Sequence, residues 1–251
     1  MSALAISAIT FAFVFGGALF GTILRATVPK HQLTADSKEA VKLGMALIAT
    51  MAALVLGLLI ASAKSSFDTQ NNELTEMSSK IVLLDRVLAH YGPEAAESRN
   101  VLRASLVRIL DRMEAKDPTG FSQTEVSPAA SEALYEKIQA LSASSEAQRS
   151  IQAQALSLTI SMGQMRWLMY EQRVTSISFP LLAVLIFWLT IIFISFGLFA
   201  PPNTIVIASF FVSALSVSGA ILLILEMYTP YAGLIHISSA PLRAALAHLG
   251  A

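Results

Sequence analysis

The sequence predicts an all-α integral membrane protein, with four transmembrane helices and a helical extramembrane bundle between spans two and three. Three observations predict it. First, none of the seventeen basic and seventeen acidic residues falls in 1–24, 43–63 or 174–225. A bilayer core of about 30 Å takes about 20 apolar helical residues to cross. The first two stretches therefore supply one crossing each, and the third is long enough for two. Second, the one sizeable polar segment, 64–173, repeats its hydrophobic positions at helical spacing and shows no strand-like alternation. Third, 55% of residues are hydrophobic and only 14% charged, where soluble domains carry about a quarter charged. A mean hydropathy of +0.63 points the same way.

The elements follow in chain order, with spans expected near 3–24, 43–63, 176–199 and 204–226. The first stretch has no basic lead-in and no obvious cleavage site before Arg25, so it reads as a retained span rather than a signal peptide. A short polar connection, Arg25–Lys42, follows. In it Asp36 and Glu39 stand three apart, as an N-cap and its capping-box partner do, which starts a helix at Ser37. Residues 1–63 thus form a first region of two spans and a short loop.

In the second region, 64–173, Phe67, Leu74, Met77, Ile81, Leu84, Leu88 and Tyr91 keep one helical seam. Gly92-Pro93 ends it, and Pro93 suits the first turn of the next helix. Leu102, Leu106, Ile109 and Met113 mark that helix, and Asp117-Pro118-Thr119-Gly120 is a turn signature. Ser127-Pro128 reads as a cap followed by a first-turn proline. Leu134, Ile138 and Leu141 form a stripe that weakens around 142–145. It resumes through Ile151, Ala155, Leu158, Met162, Met165 and Met169, in the four-and-three steps of a coiled-coil seam, and this seam is expected to offer an interface to a second copy of the chain. Leu156, Ile160, Gly163, Trp167 and Tyr170 add a second apolar face, so this helix is expected to be buried on two sides.

The third region, 174–226, holds spans three and four with Pro201-Pro202-Asn203 as the turn. The last, 227–251, is apolar yet broken at Tyr228–Gly233 and again at Ser238-Ser239-Ala240-Pro241. Lipid cannot satisfy such a backbone, so this segment packs on protein or lies at the interface.

Several function classes are excluded or disfavoured. A net charge of zero gives no basic excess to bind nucleic acid. The absence of cysteine removes disulfides, thiolate metal sites and cysteine nucleophiles. His31, His90, His236 and His248 are scattered without metal spacing, and no phosphate-binding glycine loop or nucleophile elbow occurs. Arg99, Arg103, Arg108 and Arg112 alternate with acids and read as a solvated face. The sequence thus points to no enzyme, no metal and no cofactor. The lipid bilayer is the first partner it implies.

Which side the bundle faces is not decided by charge. Arg25, Lys30, Lys38 and Lys42 stand at one set of span ends, and Lys64, Arg166, Arg173 and Arg243 at the other. Four spans do put both termini and the bundle on one side.

Small residues mark the candidate sites within the spans, because hydrophobicity alone does not join helices in lipid. Gly17-x-x-x-Gly21 is a close-packing motif. Ala46, Thr50, Ala53, Gly57 and Ala61 share one face of the second span, and Ser209, Ser213, Ser216 and Ala220 one face of the fourth. Two readings compete. The stripes pack helices, or they line a narrow path through a homo-oligomer, passing inorganic ions along Thr50, Gly57, Ser209, Ser213 and Ser216, with Glu226 near a mouth. Glu226 alone can also be read as an acid resting in the headgroups. A non-conducting scaffold or helical sensor is the function class set against the channel.

Parts of the chain resemble a bacterial family of unknown function described as bestrophin-like. In the first half the residues are Asp36-Ser37-Lys38 through Leu43-Gly44-Met45, and Met51 through Ile60. In the second they are Phe196-Gly197-Leu198-Phe199-Ala200-Pro201, Asn203, Leu223-Ile224-Leu225-Glu226, Pro230 through Ile235, and Ser238 through Leu242. The resemblance implies an oligomeric anion channel in a bacterial inner membrane, with cytosolic helical parts. It does not extend to the features of bestrophins themselves. Their pore is narrowed by aromatic side chains on the second span, and 43–63 has no Phe, Tyr or Trp. Their calcium clasp needs a cluster of acids that is missing here. Where family members often carry an Asp after the Glu226 position, Met227 and Tyr228 stand. Halide conduction and calcium gating are therefore not implied for this chain.

Overall fold

The computed structural model describes residues 2–29, 35–114, 128–174, 178–230 and 233–249. Among them the fold is all-α, and no strand occurs. In chain order the helices are α1 (Ala3–Thr27), α2 (Ala35–Tyr91), α3 (Ala96–Glu114), α4 (Pro128–Gln139), α5 (Glu146–Val174), α6 (Phe179–Phe199), α7 (Thr204–Met227) and α8 (Ala240–His248). Four of these, α1, α2, α6 and α7, are long and apolar enough to cross a membrane. The chain divides into two compact units, Met1–Ser66 with Ser176–Tyr228, and Phe67–Thr175 with Thr229–Ala251.

In the membrane unit α1, α6 and α7 each begin on a residue suited to the task. The Ser2 hydroxyl accepts from the Ala5 N–H at 3.2 Å, Pro180 stands in the first turn of α6, and the Asn203 side chain accepts from Val206 N–H at 2.8 Å. Such caps satisfy orphan amide groups that lipid cannot. Val14, Ala18, Ile192, Phe193 and Ala214 form one buried cluster. Ala52, Leu59 and Ala63 of α2 meet Leu185 and Ile224 in another. Leu182, Ile221 and Leu225 form a third.

The second unit is a bundle around a larger apolar core. Leu84, Leu88, Leu106, Ile138 and Leu242 are almost wholly buried in it. Fully burying a leucine is worth about 1.5–3 kcal/mol, so each of these residues contributes on that order. Gly92 ends α2 with φ 128°, a conformation open to glycine and strained for other residues. Pro93–Ala95 then makes a 3₁₀ turn into α3. The Gln148 side-chain amide donates to the Tyr91 carbonyl at 3.1 Å and caps that end of α2. The Gln152 amide donates to the carbonyls of Ile138, Gln139 and Leu141, closing the C-terminus of α4.

One ion pair joins α2 to α3. Arg99 Nε and Nη2 donate to the two oxygens of Asp85 at 2.7 and 2.9 Å. Asp85 is buried while Arg99 is about a quarter exposed. These hydrogen bonds raise the Arg99 pKa above its ordinary value. Burial opposes them and the carboxylate charge adds to them. Lys80, paired with Glu76, also donates to Ser161 Oγ of α5 at 2.7 Å.

Several sequence expectations change in detail. Helix α2 begins at Ala35 rather than Ser37, so Asp36 lies within its first turn, where an acid suits the helix dipole. The same helix is 57 residues long in all and continues without a break beyond Ala63, the expected end of the second span, as a bundle growing directly out of that span requires. The seam from Ile151 to Met169 packs inside the bundle: Ala155, Met165 and Met169 are buried, with Ile151, Leu158 and Met162 against them. The second face of α5 does not find the burial expected of it within this unit, since Ile160 and Trp167 stay half exposed. The segment after Tyr228 packs on protein, placing Ile237, Leu242, Ala245 and Leu249 in the bundle core. Its second break is instead a helix start, with Pro241 in the first turn of α8. The Asp117–Gly120 turn and the Ser127 cap lie outside the described residues.

Candidate functional site

The membrane unit is held by backbone approach at glycine. Gly17 and Gly21 of α1 face α6. A Cβ on Gly17 would stand 3.1 Å from Thr190 Cγ2, and one on Gly21 would overlap the Ile194 carbonyl. From the other side, a Cβ on Gly197 would overlap the Ala18 carbonyl and stand 2.9 Å from Thr22 N. Such contact supplies dispersion that bulkier residues forfeit in lipid. Ser7 Oγ donates to the Ser218 carbonyl at 2.7 Å, joining α1 to α7. The Arg25 guanidinium donates to the Ala200 carbonyl at the end of α6.

Thr50 and Gly57 lie on the outer side of α2. The whole stripe Ala46, Thr50, Ala53, Gly57 and Ala61 is exposed, and no atom lies within 4 Å of where a Gly57 Cβ would be. Helix α2 packs instead through Ala52, Leu59 and Ala63. Two residues on from Thr50 or Gly57 is about 200° around a helix of 3.6 residues per turn, so the stripe faces away from the packed seam. Thr50 Oγ1 donates to its own helix, at the Leu47 carbonyl.

The same division occurs on α7. Ser209, Ser213 and Ser216 are exposed, and Ser209 and Ser213 line a shallow open groove with Ile205, Ala208 and Val212. Packing uses Ala214, Ser218, Ile221 and Leu225 on another face. Ser209 and Ser216 donate to the carbonyls of Ile205 and Val212, each at 2.9 Å. The structure thus gathers Gly17 and Gly21 into one helix contact. It leaves Thr50 with Gly57, and the three serines, on outward faces of α2 and α7.

Glu226 is buried, 7% exposed, on the last turn of α7. Two residues on, the Tyr228 hydroxyl bonds Ser62 Oγ of α2 at 3.1 Å. An acid of this kind near a span end is costly to bury, and such groups mark functional sites by default. Among the described residues no group of three or more His, Asp or Glu could hold a metal ion.

Sequence reasoning passed over Ser7, Gly197 and Ser218, which make the closest interhelical contacts. A signal was present. Ser7 and Ser218 are polar in otherwise apolar runs, and Gly197 is the only glycine of its span. Beyond the Gly17 and Gly21 spacing, nothing in the pattern said which small residues face inward.

Four apolar helices and a separate helical bundle define a polytopic all-α membrane protein. The bestrophin-like domain matches residues 12–242, nearly the whole chain, and the chain belongs to that family. No curated protein and no solved structure matches it.

Proposed function

We propose that the protein is an oligomeric ion channel of the bestrophin type, its ion undetermined, with Thr50 and Gly57 of α2 and Ser209, Ser213 and Ser216 of α7 beside the path. The observation that carries this reading is the exposed stripe on α2. A membrane helix whose small, weakly polar face meets none of its own subunit's helices is suited to face copies of itself around an axis, where a narrow path can form. Glu226 lies near a mouth of that path. Family membership supports the reading. Both termini and the bundle are assigned to the cytoplasm.

The second reading, a non-conducting scaffold or helical sensor, is favoured by the hydroxyls themselves. Those of Thr50, Ser209 and Ser216 bond their own helix, so the stripes do not require water.

Purified protein in planar bilayers separates the two. Under the channel reading it carries current that Gly57→Phe or Ser213→Phe reduces at least several-fold. Silent bilayers with incorporated oligomer favour the scaffold, and current indifferent to both substitutions discards these residues. Mass measurement in nanodiscs tests the oligomer. A periplasm-active reporter fused at the C-terminus is expected to be inactive, and activity there reverses the assigned orientation.

A further inference from the structure

The outward face of α5 changes character along its length. On a helix of about 3.6 residues per turn, Glu146, Arg149, Ala153 and Ser157 share one arc of about 100° with Ile160, Gln164, Trp167, Leu168 and Glu171. All of these are exposed, and the arc lies opposite the buried Ala155, Met165 and Met169. Its N-terminal part is charged or small. From Ile160 onward it carries large apolar side chains, with Ile160 49%, Trp167 55% and Leu168 58% exposed. The change comes at the end from which the chain runs on to α6, one of the helices apolar enough to cross a membrane. Trp167 stands about 10 Å of helix before Val174, and the chain from there to Phe179 reaches at most about 18 Å. Leu234, 77% exposed, likewise follows closely on the end of α7 at Met227. Elsewhere on this unit Leu83 and Val107 are exposed one to a helix, on α2 and α3, which is ordinary for a soluble surface.

We propose that the last turns of α5 dock on the lipid surface, with Trp167 and Leu168 at the boundary of headgroups and acyl chains and Ile160 at its outer edge. A second copy of the chain is the competing cover, and two features favour lipid. A helix pairing along α5 would use apolar residues over the whole arc, whereas a bilayer meets only the end that leads into it. Glu171 also shares the face, and a headgroup layer takes a charge that a dry helix seam excludes. Tryptophan suits this place, because the indole pairs an apolar body with a polar edge. The contact ties the bundle to the lipid surface as well as to the chain, for a channel or a scaffold alike.

The natural lack of cysteine allows single nitroxide labels in the full chain in nanodiscs. One is placed at Leu168→Cys and one at Ala153→Cys, on the polar part of the same face. Relaxation by oxygen, which concentrates in lipid, is compared with relaxation by a water-soluble nickel chelate. The oxygen-to-nickel ratio is expected to be several-fold higher at 168 than at 153. Equal ratios mean a solvated face, and protection of 168 from both agents means that protein covers it; either result overturns the docking. Trp188→Phe leaves Trp167 as the sole tryptophan, so the native ring supplies a second reading without a label. Lipids brominated near the headgroup end of the acyl chain should quench it more than lipids brominated near the methyl end. No quenching by either, or stronger quenching from the methyl end, overturns the assigned depth.

Discussion

The two units solve the same problem, holding helices side by side, with opposite materials. The bundle uses bulk: Leu84, Leu88, Leu106 and Ile138 fill its centre, and one buried carboxylate is met by a two-pronged guanidinium. The membrane unit uses absence of bulk, at Gly17, Gly21 and Gly197, with the Ser7 hydroxyl among its interhelical bonds. The solvent explains the difference. Water rewards burying a large apolar side chain, whereas lipid is as apolar as leucine and rewards only closeness and satisfied polar groups.

That contrast can be broken most directly at Gly21. Gly21→Ala is expected to cost more than about 3 kcal/mol, since the added methyl meets backbone that cannot move aside. Gly57→Ala, with open space around it, should stay within about 0.5 kcal/mol. Thermal unfolding in detergent reads both, and similar losses would end the distinction between packed and open glycines. Next in size, Arg99→Ala removes the bidentate partner of buried Asp85 and should cost about 3 kcal/mol. Urea unfolding followed by near-ultraviolet circular dichroism checks it. In the membrane unit the corresponding polar deletion is far milder. Ser7→Ala is expected to lose about 0.6 kcal/mol, the usual worth of an interhelical hydrogen bond in lipid. A loss as large as that of Arg99→Ala would mean that hydroxyls, not close approach, hold α1. An effect of opposite sign belongs to Tyr91, whose buried hydroxyl has no hydrogen-bond partner among the described residues. Tyr91→Phe should be neutral or stabilising by up to about 1 kcal/mol, measured by the same urea titration.

What could be read from the sequence follows the same division. Charge exclusion reports where lipid lies, so the four spans were legible. Gly92-Pro93 was legible because a backbone turn demands particular residues. The inward faces of α6 and α7 were not, since in lipid both faces of a helix are apolar and the small stripe on α7 is not its packed side. The Ile151–Met169 seam was legible as a seam, but the partner read for it, a second copy of the chain, is replaced by the chain's own bundle. Helix α8 was hidden by Pro241, because proline ends one helix and opens another equally well. Glu226 was legible as an unusual acid, and its burial was not, because depth at a span end is decided by neighbours remote in sequence.

The bond from Ser7 to Ser218 joins residues 211 apart in the chain. At a synthesis rate of about 5–20 residues per second, α1 enters the bilayer roughly 10–40 s before α7 exists. Its glycine notch has no mate within the nascent chain until α6 follows, and its serine has none until α7 does. The tightest joint of the membrane unit is therefore also among the last to close. Until then α1 is open to any passing helix with a matching small face, and the timing of synthesis, as much as the contact itself, decides whether it finds the right one.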